Sequence, residues 1–182
     1  MIPSDGRGTP SSGGPDRSLS IRLTRPVYRA HHPRWAWAPD SGAGAALHGG
    51  RFNPRGMAAL YASLRLETAW LEAQQGSAFK AQPMTICAYR VDCADILDLA
   101  DPAARAACGI APADLACAWE DMADRSLKPP SWAIARRLSA EGHAGIIVPS
   151  FAPGATAEDR NVVFWRWSAD TPHQLRIVED HY

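Results

Sequence analysis

The hydrophobic positions of this chain fall into short runs that polar residues, Gly or Pro interrupt, and this pattern predicts a strand-rich fold. Seven runs have the length and composition of β-strands. They cover residues 26–30, 59–63, 84–91, 96–99, 145–150, 161–167 and 175–178. Between the first two lies a stretch without periodicity, residues 31–48, that is rich in Trp, Pro, Gly and Ala. A loop of this length is more often functional than idle.

Further segments have apolar residues at helical spacing and predict helices. They cover residues 64–75, 103–108, 113–125 and 132–141. Ser63 and Ser131 stand at the expected N-caps of the first and last of these helices. Gly109 and Gly142 stand where glycine commonly ends a helix.

The helix predicted over residues 64–75 carries a glutamate near its apolar side. The expected buried stripe of this helix consists of Leu66, Ala69, Trp70 and Ala73. Glu72 follows Ala69 by three residues, so its side chain lies beside that stripe and not opposite to it. We therefore expect the Glu72 carboxylate to point into a cleft at the edge of the core.

Strands and helices mix without regular βαβ alternation, which predicts an α+β fold with a mixed or antiparallel β core flanked by helices. Twelve of the first 20 residues are Gly, Pro or Ser. Such a segment buries too little apolar surface to offset its chain entropy, so residues 1–20 are predicted to be a disordered tail. Residues 21–182 then form a single domain without internal repeats.

Composition and charge argue against several classes of function. The formal net charge is zero, so no basic surface for nucleic acid or an anionic membrane is predicted. The four cysteines, Cys87, Cys93, Cys108 and Cys117, form no CxxC pair and have no coupled His spacing, which argues against a metal or redox site. No apolar run approaches the roughly 20 residues that span a bilayer, and no signal peptide is visible. We expect a cytoplasmic protein.

Two residues after the loop are candidates for binding an anionic, aromatic ligand. Arg51 follows Gly49-Gly50, where the backbone can approach a ligand closely and the guanidinium can pair with phosphate in a bidentate manner. An arginine that closes a surface turn is the alternative. Tyr61 can stack on a flat ring or use its hydroxyl for a sugar or amide. A core tyrosine with a satisfied hydroxyl is the alternative there.

Glu72 is the carboxylate that the pattern singles out, because it lies among apolar neighbours whereas Glu67 lies near the helix start, which favours acidic residues. Beside a cleft, it can stabilise developing positive charge. A solvated helix glutamate is the alternative. His31, His32 and His48 have no acidic partner or nucleophile at a telling spacing.

Several motifs, taken together, resemble the RES-domain family across about residues 25–168. They are Arg29 in Val27-Tyr28-Arg29-Ala30, the box Gly49-Gly50-Arg51-Phe52-Asn53 with Gly56, the strand Ala59-Leu60-Tyr61, Thr68-Ala69 with Glu72, Pro149-Ser150, and Asn161-Val162-Val163-Phe164. Each motif is weak alone, but their joint order and spacing are specific.

The resemblance implies an ADP-ribosyltransferase-like fold, NAD+ as substrate and no metal. It also implies a type II toxin with a cognate Xre-type helix-turn-helix antitoxin that covers the active site. By this resemblance Glu72 assists cleavage of the nicotinamide–ribose bond, Arg29 and Arg51 hold the pyrophosphate, and Tyr61 packs on nicotinamide. Ser150 then bonds near the nicotinamide ribose or carboxamide, and Asn161 braces the strand that carries Ser150.

The acceptor of ADP-ribose stays open between water, phosphate and a protein such as phosphoribosyl pyrophosphate synthetase. Protein-acceptor transferases often have an acidic residue two positions before the catalytic glutamate, and here that position is Trp70. Residues 31–48 and 151–160 are two segments that could form an acceptor surface. A non-catalytic nucleotide-binding module is a further alternative. The chain lacks a Rossmann fingerprint, since Gly42-x-Gly44 has no third glycine at the required spacing.

Overall fold

A computed structural model describes residues 18–33, 37–75 and 83–178 of the chain. Its strands are β1 (Ser20–His31), β2 (Leu60–Ser63), β3 (Thr85–Asp98), β4 (Gly145–Pro149), β5 (Arg160–Phe164) and β6 (His173–Ile177). Its helices are α1 (Ala43–His48), α2 (Leu66–Gln74), α3 (Pro102–Ala107), α4 (Pro112–Leu115), α5 (Trp119–Asp124) and α6 (Pro130–Ala140).

The strands form one sheet in the order β1-β2-β5-β4-β3-β6, and a further pairing of β1 with β3 closes five of them into a ring. All pairings are antiparallel except that of β3 with β4. The long strand β3 makes this closure possible, because one of its edges pairs with β1 while the other pairs with β6 and then β4. A mixed sheet with helices confirms the α+β prediction.

Two hydrophobic clusters cover opposite faces of the sheet, because successive residues of a strand point to opposite sides. Leu60 and Ala62 of β2 belong to the first cluster, whereas Tyr61 packs against the second. The second cluster also holds Leu115 of α4 and Leu138 of α6. Helices α4 and α6 therefore cover the same face on which the Tyr61 side chain lies.

Several element boundaries differ from those that the sequence predicts. The first strand is longer at its N-terminal end than residues 26–30, because it pairs with β3 as far back as Ser20. The predicted strands 84–91 and 96–99 are one strand. The predicted loop 31–48 contains α1 in the part that the structure describes, and the predicted helix 113–125 is broken into α4 and α5.

The predicted caps differ as well. Helix α2 begins at Leu66 with Arg65 at its N-cap, and Ser63 is the last residue of β2. Ser131 lies inside α6, whose N-cap is Pro129. By contrast, Gly109 has φ +64° just after α3, which agrees with the predicted stop.

The predicted buried stripe of α2 is wrong at two positions. Leu66 and Trp70 are 43% and 45% exposed, and the buried residues of the helix are Thr68 and Ala69. The inward face of α2 is thus partly polar, and the reason lies in the contacts described below.

Residues 1–17 of the predicted disordered tail lie outside the described residues, whereas Ser20 is the first residue of β1. Among the described residues, no helix has the length and apolar character needed to cross a membrane.

Candidate active site

A cavity of about 410 Å³ opens on the face of the sheet that carries Tyr61. Strand β1 contributes Arg29, strand β2 Tyr61, helix α2 Glu72 and strand β5 Asn161, while Arg51 comes from the glycine-rich turn before β2. Five residues that the sequence singles out, from distant parts of the chain, therefore line one cavity. Its volume falls in the range of about 300–1,000 Å³ that is typical of small-molecule sites.

Three hydrogen-bond donors hold the Glu72 carboxylate at the cavity wall. Its Oε1 accepts from Ser150 Oγ at 2.6 Å and from Asn161 Nδ2, and its Oε2 accepts from Gln75 Nε2. Ser150 thus contributes to the site through its hydrogen bond to Glu72. A carboxylate that accepts several hydrogen bonds is held in one orientation.

The Asn161 amide is itself oriented by Ser63. Asn161 pairs with Ser63 of β2 on one side and with Val148 of β4 on the other. Ser63 Oγ donates to Asn161 Oδ1 at 2.6 Å, which leaves Nδ2 to donate to Glu72. The Asn161 backbone therefore pairs with β4, the strand that leads to Ser150, while its side chain positions Glu72. Because the Ser63 hydroxyl is committed to Asn161, it does not cap α2.

The turn that carries Arg51 is packed tightly against Tyr61. The Tyr61 hydroxyl donates to Asn53 Oδ1 at 2.7 Å and accepts from the Phe52 N–H at 2.9 Å. Burial raises the pKa of Tyr61, so the phenol stays protonated. A Cβ added to Gly50 would lie 2.6 Å from this hydroxyl. Gly50 is therefore required for the close approach of turn and ring.

Asn53 and two tryptophans hold the same turn from its other side. Asn53 is fully buried, and its Nδ2 donates to the carbonyls of Ala45 and Met57 at 2.8 and 2.9 Å. Trp132 of α6 donates to Gly50 O at 2.8 Å, and Trp165 donates to Phe52 O at 2.9 Å. These bonds fix the backbone on both sides of Arg51.

The Arg51 guanidinium lies between a loop and an aromatic ring. Its Nη1 donates to Cys117 O at 2.6 Å, and its Cζ lies 4.6 Å from the centroid of Phe151. Burial lowers the pKa of Arg51, and the nearby Cys117 and Glu72 oppose that shift. The group stays charged at neutral pH because its ordinary value is 12.5. A partly desolvated cation with further free N–H groups binds anions more strongly than a solvated one.

Arg29 supplies a second cation to the cavity lining. Its Nη1 donates to Pro39 O at 2.9 Å, and Tyr89 donates to the same carbonyl at 2.8 Å. One guanidinium nitrogen thus ties β1 to the segment after it, while Arg29 still lines the cavity. Two guanidinium groups and one carboxylate therefore face a common space.

Helix α2, which carries Glu72, is joined to residues 150–159 by three polar links. Arg65 bonds Glu158 at 2.9 Å, Thr68 donates to Asp159 Oδ1 at 2.6 Å, and Glu72 accepts from Ser150. Positions 65, 68 and 72 lie on one face of a helix. This polar stripe explains why Thr68 is buried and why Leu66 and Trp70, on other faces, are exposed.

Asp159 makes this connection sensitive to acid. Hydrogen bonds from Thr68 and Thr156 lower the pKa of Asp159 to about 2, from an ordinary 3.8. A carboxyl with a lowered folded-state pKa stabilises the fold above about pH 4, and this stabilisation is lost as the pH falls toward about 2. We expect Asp159→Asn to lower the melting temperature at neutral pH, and its difference from the wild type to shrink between pH 4 and pH 2.

Glu158→Gln is the matched control for this prediction, because the Glu158 carboxylate is 79% exposed and bonds only across the surface to Arg65. The measurement is thermal unfolding of both variants across the acid range. A deficit of the Asp159→Asn variant that is equally large at pH 2 and pH 7 would contradict the assignment.

Sequence reasoning missed Gln75, Asn53, Phe151 and the Thr68–Asp159 pair. Asn53 lies inside the glycine-rich box, so the sequence indicates that this position matters but not which contacts its side chain makes. The other contacts join residues that are distant in sequence or, as for Gln75, depend on the helix end. Among the described residues, no cluster of His, Cys, Asp or Glu could hold a metal ion, and none of the four cysteines forms a disulfide.

The chain is similar to known proteins in sequence profile and in fold. The profile of the family described as RES domain matches residues 26–182. A chain in the crystal structure of the M. tuberculosis MbcT-MbcA toxin-antitoxin complex has a TM-score of 0.64 to this structure at 22% sequence identity. The match covers 88% of this chain and 84% of that chain, which shows a common fold. No curated protein matches the chain by sequence.

Proposed function

Because the chain belongs to the RES domain family, we propose that it is a toxin that binds NAD+ in the candidate active site and breaks the bond between nicotinamide and ribose. We also propose that its fold is ADP-ribosyltransferase-like. The observation that carries the proposal is the Glu72 carboxylate, held by three donors at the wall of a cavity that two guanidinium groups also line.

This arrangement suits the charge changes of the reaction. When the N-glycosidic bond breaks, its electron pair goes to the pyridinium nitrogen, nicotinamide leaves as a neutral molecule, and positive charge develops on the ribose. A fixed carboxylate beside the ribose stabilises that charge. Nicotinamide needs no proton to leave, so the reaction needs a nearby negative charge and no proton donor.

The other residues bind and orient the dinucleotide. Arg29 and Arg51 both line the cavity and would hold the pyrophosphate through charged hydrogen bonds. The Tyr61 hydroxyl is committed to Asn53 and Phe52, so its contribution to binding is the ring, which would pack on nicotinamide. The Ser150 hydroxyl donates to Glu72, and its role near the nicotinamide ribose is therefore to fix the carboxylate.

The acceptor that captures the ribosyl cation supplies an oxygen and loses a proton. Trp70, two positions before Glu72, is exposed and absent from the cavity lining, so no acidic side chain at that position is available to activate a protein nucleophile. We propose water or inorganic phosphate as the acceptor. Transfer to a protein is the alternative that the experiment below separates.

The partner that we propose is a cognate antitoxin of the Xre type that covers the mouth of the cavity. The matched chain comes from a toxin-antitoxin complex, which supports the existence of such a partner. Without it, the protein is expected to arrest growth by depleting NAD+.

The test is to incubate the purified protein with NAD+ labelled in its adenylate half, in three reactions: buffer alone, added phosphate, and added cell extract. We expect release of nicotinamide together with ADP-ribose in buffer, or its 1''-phosphate when phosphate is present. A labelled protein band that appears only with extract would favour the protein acceptor. Intact NAD+ in all three reactions would overturn the proposal.

A further inference from the structure

A second cavity of about 290 Å³, here called the outer cavity, opens between the end of β1 and residues 37–48. It shares Arg29 and Gly44 with the candidate active site, so the two spaces meet at these residues. Its lining is mostly apolar and includes Pro39 and Trp37. The outer cavity is therefore an apolar extension of a polar site.

The wall of the outer cavity is held in place before any ligand binds. Arg29 and Tyr89 both donate to Pro39 O, and Trp167 Nε1 donates to Asp40 O at 2.9 Å. Gly42 has φ +62°, and a Cβ added there would lie 2.6 Å from the Trp167 ring. A wall that is already ordered loses little entropy when a ligand binds.

Trp37 stands at this wall with its ring largely open to solvent. Its side chain is 79% exposed, the highest value among the large hydrophobic residues that are exposed in the described part of the chain. A tryptophan exposed to this degree leaves a large apolar surface in contact with water. A flat ring that lines a cavity can instead cover the face of an aromatic ligand.

We propose that the outer cavity binds the purine base of the dinucleotide and that Trp37 stacks on that base. The inference rests on the NAD+ binding proposed above and extends it to the adenylate half. Arg29 lies at the junction and contacts the pyrophosphate, which joins the two halves of the ligand.

The distribution of charge supports binding of the purine in the outer cavity and of the nicotinamide half in the first cavity, and not the opposite orientation of NAD+. Of these two cavities, the first has Glu72 and Arg51 in its lining and the outer cavity has neither, so the ribose that reacts and its phosphate are expected in the first. The outer cavity has Arg29 at its border and His31 and His48 in its lining, but no acidic side chain. An uncharged aromatic base is the part of NAD+ that suits an apolar space.

The proposal is tested by measuring the affinities of ADP-ribose, AMP and nicotinamide mononucleotide for the wild type and for Trp37→Ala. We expect Trp37→Ala to weaken ADP-ribose and AMP at least about fivefold, the lower end for loss of base stacking on an aromatic side chain. Nicotinamide mononucleotide has no purine, so its affinity should not change. Trp70→Ala is the matched control, because Trp70 is also exposed and lines neither cavity.

A second variant tests the junction without altering Trp37. No heavy atom lies within 4 Å of a Cβ built on Gly44, so Gly44→Phe can fold while its ring narrows the passage between the cavities. We expect this variant to weaken ADP-ribose binding as well. Unchanged affinity for ADP-ribose in the Trp37→Ala variant overturns the proposal.

The outcomes separate this inference from the proposed function. If the Trp37→Ala variant cleaves NAD+ and binds ADP-ribose as tightly as the wild type, the proposed reaction stands and the proposed purine site is ruled out. If the wild type leaves NAD+ intact but Trp37→Ala weakens its binding of ADP-ribose and AMP, the proposed purine site stands and the proposed reaction is ruled out.

Discussion

Replacing Glu72 with glutamine is expected to lower the rate of NAD+ cleavage by about 100- to 1,000-fold, the range seen when one electrostatic contact to a transition state is lost. Glutamine has nearly the same shape, and its carbonyl oxygen can still accept from Ser150. It carries no negative charge to stabilise the ribosyl cation. Its amide also presents N–H donors where Gln75 Nε2 donates to Glu72 Oε2 in the wild type, so two donors would face each other.

The measurement is nicotinamide release under saturating NAD+, together with thermal unfolding to show that the variant is folded. Glu67→Gln is the matched control, because Glu67 lies in the first turn of the same helix and its carboxylate is 72% exposed. We expect the control to retain wild-type activity and Glu72→Gln to relieve growth arrest. A folded Glu72→Gln protein that cleaves NAD+ at the wild-type rate would falsify the proposed mechanism.

Arg51→Lys is expected to weaken ADP-ribose binding about 10- to 100-fold, because a charged bidentate contact is lost although the charge is kept. Lysine cannot stack its head group on Phe151 as the planar guanidinium does, nor bind Cys117 O and a phosphate with separate N–H groups in a fixed geometry. The Michaelis constant for NAD+ should rise more than the turnover number falls, since the phosphate contact exists before and during the reaction.

Arg55→Lys is the matched control, since Arg55 lies in the same turn, is exposed, and lines neither cavity. Isothermal titration with ADP-ribose measures the effect, and thermal unfolding checks that the turn still folds. An Arg51→Lys variant with the ADP-ribose affinity of the Arg55→Lys control would show that Arg51 only joins the turn to residues 115–117.

The sequence predicts the site best where its residues are close together along the chain. Gly49-Gly50, Arg51, Tyr61 and Glu72 lie on consecutive elements, so local pattern is enough to associate them. The role of Gln75 depends on the last turn of α2, and those of Asn161 and Ser150 depend on strand pairing across about half of the chain. Those pairings follow from the closed sheet, which no local pattern encodes.

The errors around α2 have one physical cause. The helical period was correct, but the phase was wrong, because the prediction assumed that the inward face of a helix is apolar. This helix contacts Asp159 and Ser150 through polar side chains, so Thr68 and Glu72 face inward, whereas Leu66 and Trp70 face outward. Similarly, Ser63 has the residue type of an N-cap, but its hydroxyl donates to Asn161 Oδ1 and does not cap the helix.

The polar stripe that joins α2 to residues 150–159 also determines how this helix can come apart. Because only Thr68 and Ala69 of α2 are buried, little hydrophobic free energy holds the helix to the sheet. Its backbone amides should therefore exchange with solvent through local opening at a lower free energy than those of β3 and β4, whose inner residues are fully buried. Conditions that weaken polar links, such as acid, would detach the helix that carries Glu72 while the sheet stays folded.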